Sequence, residues 1–351
     1  MAIDHRELYL ERQLPHEGAG GFLRRMARDF AIHDWLVLTY LVLLNLAVLN
    51  APAGAIQAQS LHRVFGLLAF LVITLVLVRG QVMKHDFAAP LLYRLAIYGT
   101  VQLSYFFLAE ILPLVNSSSL DFGLYHFDLH VFGLEPALAM DHWVNSLTSE
   151  WFAFFYFGYF FLLALHVIPI LLFSKRERVL GDFALGMLIV FCLGHTIYML
   201  VPGFGPHQAM ADQFQHEFPH GMWLDTVMRT VAEGGAQKDI FPSLHTAAPT
   251  FIAMFSFRHR DKMPFRYTWP IVAFFAVNII GATMFLRWHY IVDVVAGLAL
   301  STTALFVSGW VTSWELKRRS ALGLGQNWPR FFGKRQPDED RKVGRQMATN
   351  L

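Results

Sequence analysis

The chain has 351 residues, 55% of them hydrophobic and only 15% charged, with a formal net charge of +2 and a mean hydropathy of +0.41. Such apolarity, spread over several runs near bilayer length, excludes a soluble single-core domain, and so small a net charge excludes a polycationic nucleic-acid binder. The lone cysteine, Cys192, excludes an intramolecular disulfide.

Residues 1–33 mix Asp4, Glu7, Glu11 and Glu17 with basic residues and lack the apolar core and cleavage site of a secretory signal peptide. A cytoplasmic segment is expected there, with the first membrane helix acting as targeting signal. Apolar runs then predict eight helices, at 34–50, 61–78, 91–115, 151–173, 182–201, 242–257, 268–286 and 289–313. They form one all-α transmembrane domain over 34–313. With a cytoplasmic N-terminus, 24 of the 28 lysines and arginines fall on the cytoplasmic side, leaving Arg63, Arg229, Lys238 and Arg287 opposite. That bias fixes the orientation with both chain ends cytoplasmic.

The loop 116–150 has no lysine or arginine, and sets Phe122, Leu124, Phe127, Leu129, Val131, Phe132 and Leu134 among acids and histidines. Short interfacial helices capping the mouth of the bundle are expected. The segment 314–351 mixes charges, Gly, Gln and Asn without periodicity and reads as a disordered, basic cytoplasmic tail, with Lys317, Arg318 and Arg319 as a stop signal.

Two polar motifs border apolar runs on the outward face: Phe241-Pro242-Ser243-Leu244-His245-Thr246 and Arg287-Trp288-His289-Tyr290-Ile291-Val292-Asp293. Ionisable groups at such depth are costly and mark function. Four residues apart on a helix, His289 and Asp293 share a face, so the carboxylate can orient the imidazole and stabilise the cation that forms on it. His245 lies in the first turn of a helix that Pro242 starts, where free N–H groups make a phosphate site. Such an imidazole pair can serve as nucleophile toward phosphorus and as general acid.

Other ionisable groups read differently. His207, His216 and His220 have no compact ligand spacing and are expected to be solvated, with no catalytic metal and no cofactor. Glu110, His166 and His195 are expected to pair between helices. Gly203 and Gly205 allow a tight turn at a helix exit.

At the two motifs the sequence resembles the type 2 phosphatidic acid phosphatase superfamily, whose second motif is Pro-Ser-Gly-His and whose third ends in His-x-x-x-Asp. It is more similar to the inositol phosphorylceramide synthase branch, on Phe241-Pro242-Ser243-Leu244-His245, on His289-Tyr290-x-Val292-Asp293-Val294-x-Ala296-Gly297, and on Asp128, Phe132-Gly133 and Pro136 of the outward loop. The resemblance covers the core 116–313. It implies that His289 attacks phosphorus to form a phosphohistidine, that Asp293 orients it, and that His245 protonates the leaving oxygen. Ser243 and nearby N–H groups would hold phosphate oxygens. The phosphatases carry an arginine six residues before the nucleophile, where this chain has Thr283. Phosphate charge must then be met by Arg287, Lys238 or Arg229. The phosphatases' first motif has no match, and the turn 202–207, ending in His207, is its positional substitute.

The expected activity is transfer of a phospho-headgroup from a phospholipid donor to a hydroxyl-bearing lipid or polyol. The alternatives are a lipid phosphatase, of phosphatidic acid or undecaprenyl diphosphate type, and a non-enzymatic anion-binding transporter or scaffold. The short run between His245 and Arg258 places the site below the outer headgroup plane.

Overall fold

The structure, a computed structural model, describes residues 18–332. After a short surface helix α1 (Ala19–Asp29), the apolar runs form α2 (Ile32–Leu49), α3 (Ala55–Arg79) and α4 (Ala88–Val115), the last broken by one π turn at Leu95–Gly99. The loop region holds α5 (Asp121–Phe132) and two short turns before α6 (Ser146–Phe173) and α7 (Glu177–Leu200). A surface helix α8 (Met222–Gly234) precedes α9 (Leu244–Arg258), α10 (Phe265–Phe285) and α11 (Ile291–Leu322). Among the described residues every regular element is helical. The chain is thus a polytopic helical membrane protein, as the composition implies.

Seven helices, α2, α3, α4, α6, α7, α10 and α11, are long and apolar enough to cross a membrane. The eighth expected helix is present as α9. Its 15 residues span roughly 22 Å at 1.5 Å per residue, short of a hydrocarbon core of about 30 Å. It survives by being enclosed: Leu244, Ala247, Ala248, Phe251, Ile252 and Phe255 are all buried. The start of α9 stands beside the first turns of α11, where the Ser243 amide donates to the Asp293 carbonyl, and its other end reaches only to Leu305 of α11.

The centre of the bundle is α7, buried along its length and touching α2, α4, α6, α9 and α11. Around it stand a group of three helices, α2 to α4, and a group of α6, α9, α10 and α11. One close approach and one helix cap shape the second group. A Cβ on Gly297 of α11 would stand 2.6 Å from the Ser243 carbonyl, so α11 lies directly against the start of α9. Asn145 caps α6, its side-chain oxygen accepting from the amides of Leu147 and Thr148.

The expected interfacial cap over 116–150 is found as α5 and the short turns Pro136–Ala139 and Asp141–Trp143. Two expectations change. The last helix starts at Ile291, so His289 lies before it rather than on it. And the segment after Ser313 is not disordered: the helix runs to Leu322, and the chain to Phe332 folds back with Trp328 buried against Tyr93. The exposed Lys317 beside Arg318 read as a stop signal, but Glu315 and Arg319, four apart, turn inward. Glu315 accepts from the Ile32 amide, and Arg319 donates to Asp29 at 2.7 Å. The rest of the tail, 333–351, and the first 17 residues lie outside the described residues.

Candidate functional site

At one end of the bundle four loops meet, and carboxylates of the cap hold them together. Asp121 accepts from the amides of Phe204 and Gly205, each at 2.8 Å, and from the Tyr290 hydroxyl at 3.2 Å. Seven residues further along α5, Asp128 accepts from the amides of Ile291 at 2.6 Å and Val292 at 3.0 Å. These are the first free N–H groups of α11, where a carboxylate also meets the positive helix end. Gly205 sits at φ +86° with its Cα against the Trp288 carbonyl, which a Cβ would approach to 2.3 Å. Only glycine closes that turn.

This scaffold fixes the histidines. Asp293 is the third residue of α11, and its Oδ2 accepts from the Tyr290 amide at 2.9 Å while lying 3.4 Å from Nδ1 of His289. The pair is therefore made through a helix cap, not through a shared helix face as the spacing implied. Nε2 of His289 is left for the cavity. Asp293 is fully buried, and its backbone carbonyl accepts from the Ser243 amide at 3.0 Å, joining the two motifs directly. Ser243 is the N-cap of α9, its hydroxyl accepting from the Thr246 amide at 3.2 Å. That hydroxyl is buried and engaged in capping. The His245 ring stacks on Tyr156, centroids 4.4 Å apart and 11° between planes, and lies 4.1 Å from Tyr159, while its Nε2 has no protein partner.

His245 and His289 line one cavity of about 140 Å³. Its wall includes His207, Asp239 and Tyr105, and it extends to Phe106 of α4 and Phe160 of α6, whose rings are exposed on the bundle surface. His207 tilts on Trp288 at 4.4 Å, with Nδ1 buried and unpartnered. Burial pushes its pKa down to about 4, against the pull of Asp121. Asp239 accepts from the Tyr105 hydroxyl at 2.9 Å. Burial raises its carboxyl above the ordinary range, with Tyr105 and His289 pulling it back. Chemically, the cavity presents an imidazole backed by a carboxylate, a second imidazole with an unpartnered nitrogen, and the carboxyl of Asp239. Sequence reasoning missed Asp239, although it stands two residues before the Phe241 motif.

The three cations expected to meet phosphate are elsewhere. Lys238 is buried with Nζ donating to the carbonyls of Asn116, Ser117 and Ser118 at 3.1, 3.2 and 2.6 Å. Arg287, in the left-handed region at φ +66°, donates to Asp141 Oδ1 at 2.7 Å and lies over Phe214 and Phe218. Arg229 is exposed on α8. Thr283 donates to the Ile280 carbonyl, while its own carbonyl accepts from the His289 amide at 3.1 Å. The loop histidines separate: His207 enters the cavity, His216 joins Asp141 at 2.9 Å, and the exposed His220 joins Asp225 at 3.2 Å. Glu110, His166 and His195 have protein partners in Arg63, the Leu162 carbonyl and Tyr40.

A family model described as the PAP2 superfamily matches residues 124–307, which covers the cap, the cavity and both motifs. No curated protein and no solved structure matches the chain.

Proposed function

The chain belongs to the PAP2 superfamily, whose members are phosphatases and phosphotransferases acting on phosphate esters, and on that footing we propose that it is a membrane lipid phosphotransferase. It moves a phospho-headgroup from a phospholipid donor to the hydroxyl of a second lipid or a polyol, in the manner of the inositol phosphorylceramide synthase branch. The observation that carries this reading is the single cavity lined by His289 and His245, with Asp293 directly behind His289.

In this reading Nε2 of His289 attacks phosphorus and the bond to the leaving oxygen breaks. Asp293 balances the charge that develops on the ring. His245 delivers its proton to the leaving oxygen, which an alkoxide requires. The acceptor hydroxyl then displaces His289 from phosphorus and returns its proton to His245, so the proton count closes over a cycle. The cavity lies at the start of α9 behind apolar rings. That placement supports transfer over hydrolysis, because it lowers water access while holding a lipid hydroxyl in reach. The site faces the periplasmic, extracellular or lumenal side, with both termini cytoplasmic, a reading that the distribution of basic residues supports.

The test is to incubate purified protein in mixed micelles with a phospholipid panel while diacylglycerol, ceramide or glycerol is titrated in. Transferred product should rise with acceptor, with some free phospho-headgroup in its absence. A transferred fraction near zero at saturating acceptor assigns the chain to the lipid phosphatases instead.

A further inference from the structure

Every anion-binding site must answer how it neutralises its ligand, and this cavity answers with an unusual charge set. Among the described residues lining it there is no lysine or arginine, yet there is one carboxylate, Asp239, on the same wall as His245 and His289. The nearby cations cannot compensate without dismantling the loops, since Lys238 holds three carbonyls and Arg287 holds Asp141. Thr283 supplies no charge. A carboxylate facing a phosphate is a standing repulsion, and the Tyr105 bond alone does not require it, because an amide oxygen would accept that hydrogen bond equally well.

We propose that Asp239 is the specificity-determining residue of the cavity, its carboxylate, held ionised by the Tyr105 hydroxyl, admitting a singly charged phosphodiester and turning away a doubly charged phosphomonoester. This rests on the phosphotransfer reading and adds which ester is taken. A diester beside Asp239 already sets two negative charges against no fixed cation, to be met by the oriented His289, by the proton that His245 carries during the reaction and by the cavity dipoles. A monoester adds a second full charge against Asp239 where no fixed cation screens it. Inside a protein such an added repulsion at contact range weakens binding by about tenfold or more. Asp239 touches no reacting atom here; it acts by charge.

The experiment compares kcat/KM at pH 7.5 for a short-chain phosphatidic acid, the monoester, and the matching phosphatidylglycerol, a diester, in the same micelles. The wild type should favour the diester. Asp239→Asn, which keeps an acceptor for Tyr105, should narrow that preference by at least about tenfold, mainly by raising the rate on monoester. Faster use of a disfavoured substrate cannot come from misfolding. Asp239→Glu keeps the charge on the same wall, so its selectivity should stay within about twofold of wild type. A wild type that prefers monoester, or an Asp239→Asn variant with unchanged selectivity, overturns the proposal. So does an Asp239→Glu variant that moves selectivity as far as Asp239→Asn, since the shape of the side chain rather than its charge would then be responsible. Failure of the phosphotransfer reading is seen separately, as free rather than transferred phospho-headgroup from whichever ester is consumed.

Discussion

The two ends of the bundle use the same residue types in opposite ways. At the end away from the cavity, Asp34, Arg79, Tyr93, Arg94, Glu315 and Arg319 are all buried, yet each charged group is engaged. Arg79 donates to Asp34 at 2.7 Å, to Tyr93 and to the carbonyls of Gln326 and Asn327; Tyr93 donates to the second oxygen of Asp34. Arg94 holds the carbonyls of Leu171 and Pro329 and lies over the Phe331 ring. At the cavity end, His207 Nδ1, His245 Nε2 and Asp293 Oδ1 are equally buried but have no protein partner. A buried polar group left unpaired is costly, so it persists where a ligand or a reaction needs it. Charge at membrane depth therefore does not by itself distinguish structure from function. What separates these two groups of residues is how far their polar atoms are engaged by the protein.

The largest expected effects come from exchanging the two kinds of residue. His289→Ala should lower turnover by about three orders of magnitude or more, while melting in detergent stays near wild type, since its ring makes one long contact to Asp293. Asp34→Ala should do the reverse, costing about 3–5 kcal/mol by leaving Arg79 buried and unpaired, with normal turnover per folded molecule. A His289→Ala protein that turns over normally removes the phosphohistidine, and an Asp34→Ala protein that melts normally removes the contrast between the ends.

Asp128→Ala sits between these extremes. It frees the amides of Ile291 and Val292 and loosens the start of α11, which positions Asp293 and thereby His289. Turnover should fall about tenfold to a hundredfold, because small misplacement of reacting groups is expensive. The loss should appear in kcat more than in KM, measured on a diester substrate.

How much of this was legible in sequence follows from the same contrast. Apolar runs located every spanning helix, because burial in lipid demands them. The His245 and His289 motifs were legible because their chemistry is local. The π turn in α4, the fold-back to Trp328 and the direction of Lys238 and Arg287 were not, because each is decided by a partner far away in sequence. Lys238 and Arg287 find theirs at Ser118 and Asp141. Asp239 had the opposite difficulty: it lies beside a motif without belonging to its pattern, and only the cavity gives it meaning.

Titration sharpens the comparison further. Burial raises the Glu135 carboxyl to about 7, above its ordinary value, so the folded state holds the proton more tightly than the unfolded chain. Its contribution is complete below the unfolded pKa and is lost as pH rises through about 7, on the order of 3 kcal/mol. His207, pushed down to about 4, behaves oppositely: its contribution is complete above its ordinary pKa and is lost as pH falls toward 4. Above that ordinary value Glu135 acts without opposition from His207. Glu135→Gln, which can still accept from the Leu138 amide as Glu135 does at 2.6 Å, should melt higher than wild type at pH 8 and nearly together with it at pH 5. Parallel melting curves at both pH values would place the Glu135 proton elsewhere.

The smallest expected effect tests the charge assignment. Arg229 was one of three cations proposed to meet phosphate, yet it is exposed on α8 and is absent from the residues lining the cavity. An exposed cation outside the site acts on a ligand only through screened, long-range attraction. Arg229→Ala should therefore change inhibition by vanadate, a mimic of the phosphorus transition state, by less than about twofold at physiological salt, and less still at 0.5 M salt. A larger, salt-resistant loss would mean that α8 brings Arg229 over the cavity mouth when substrate binds. The site would then gain a cation on closure, and the repulsion assigned to Asp239 would be partly cancelled at the moment of reaction.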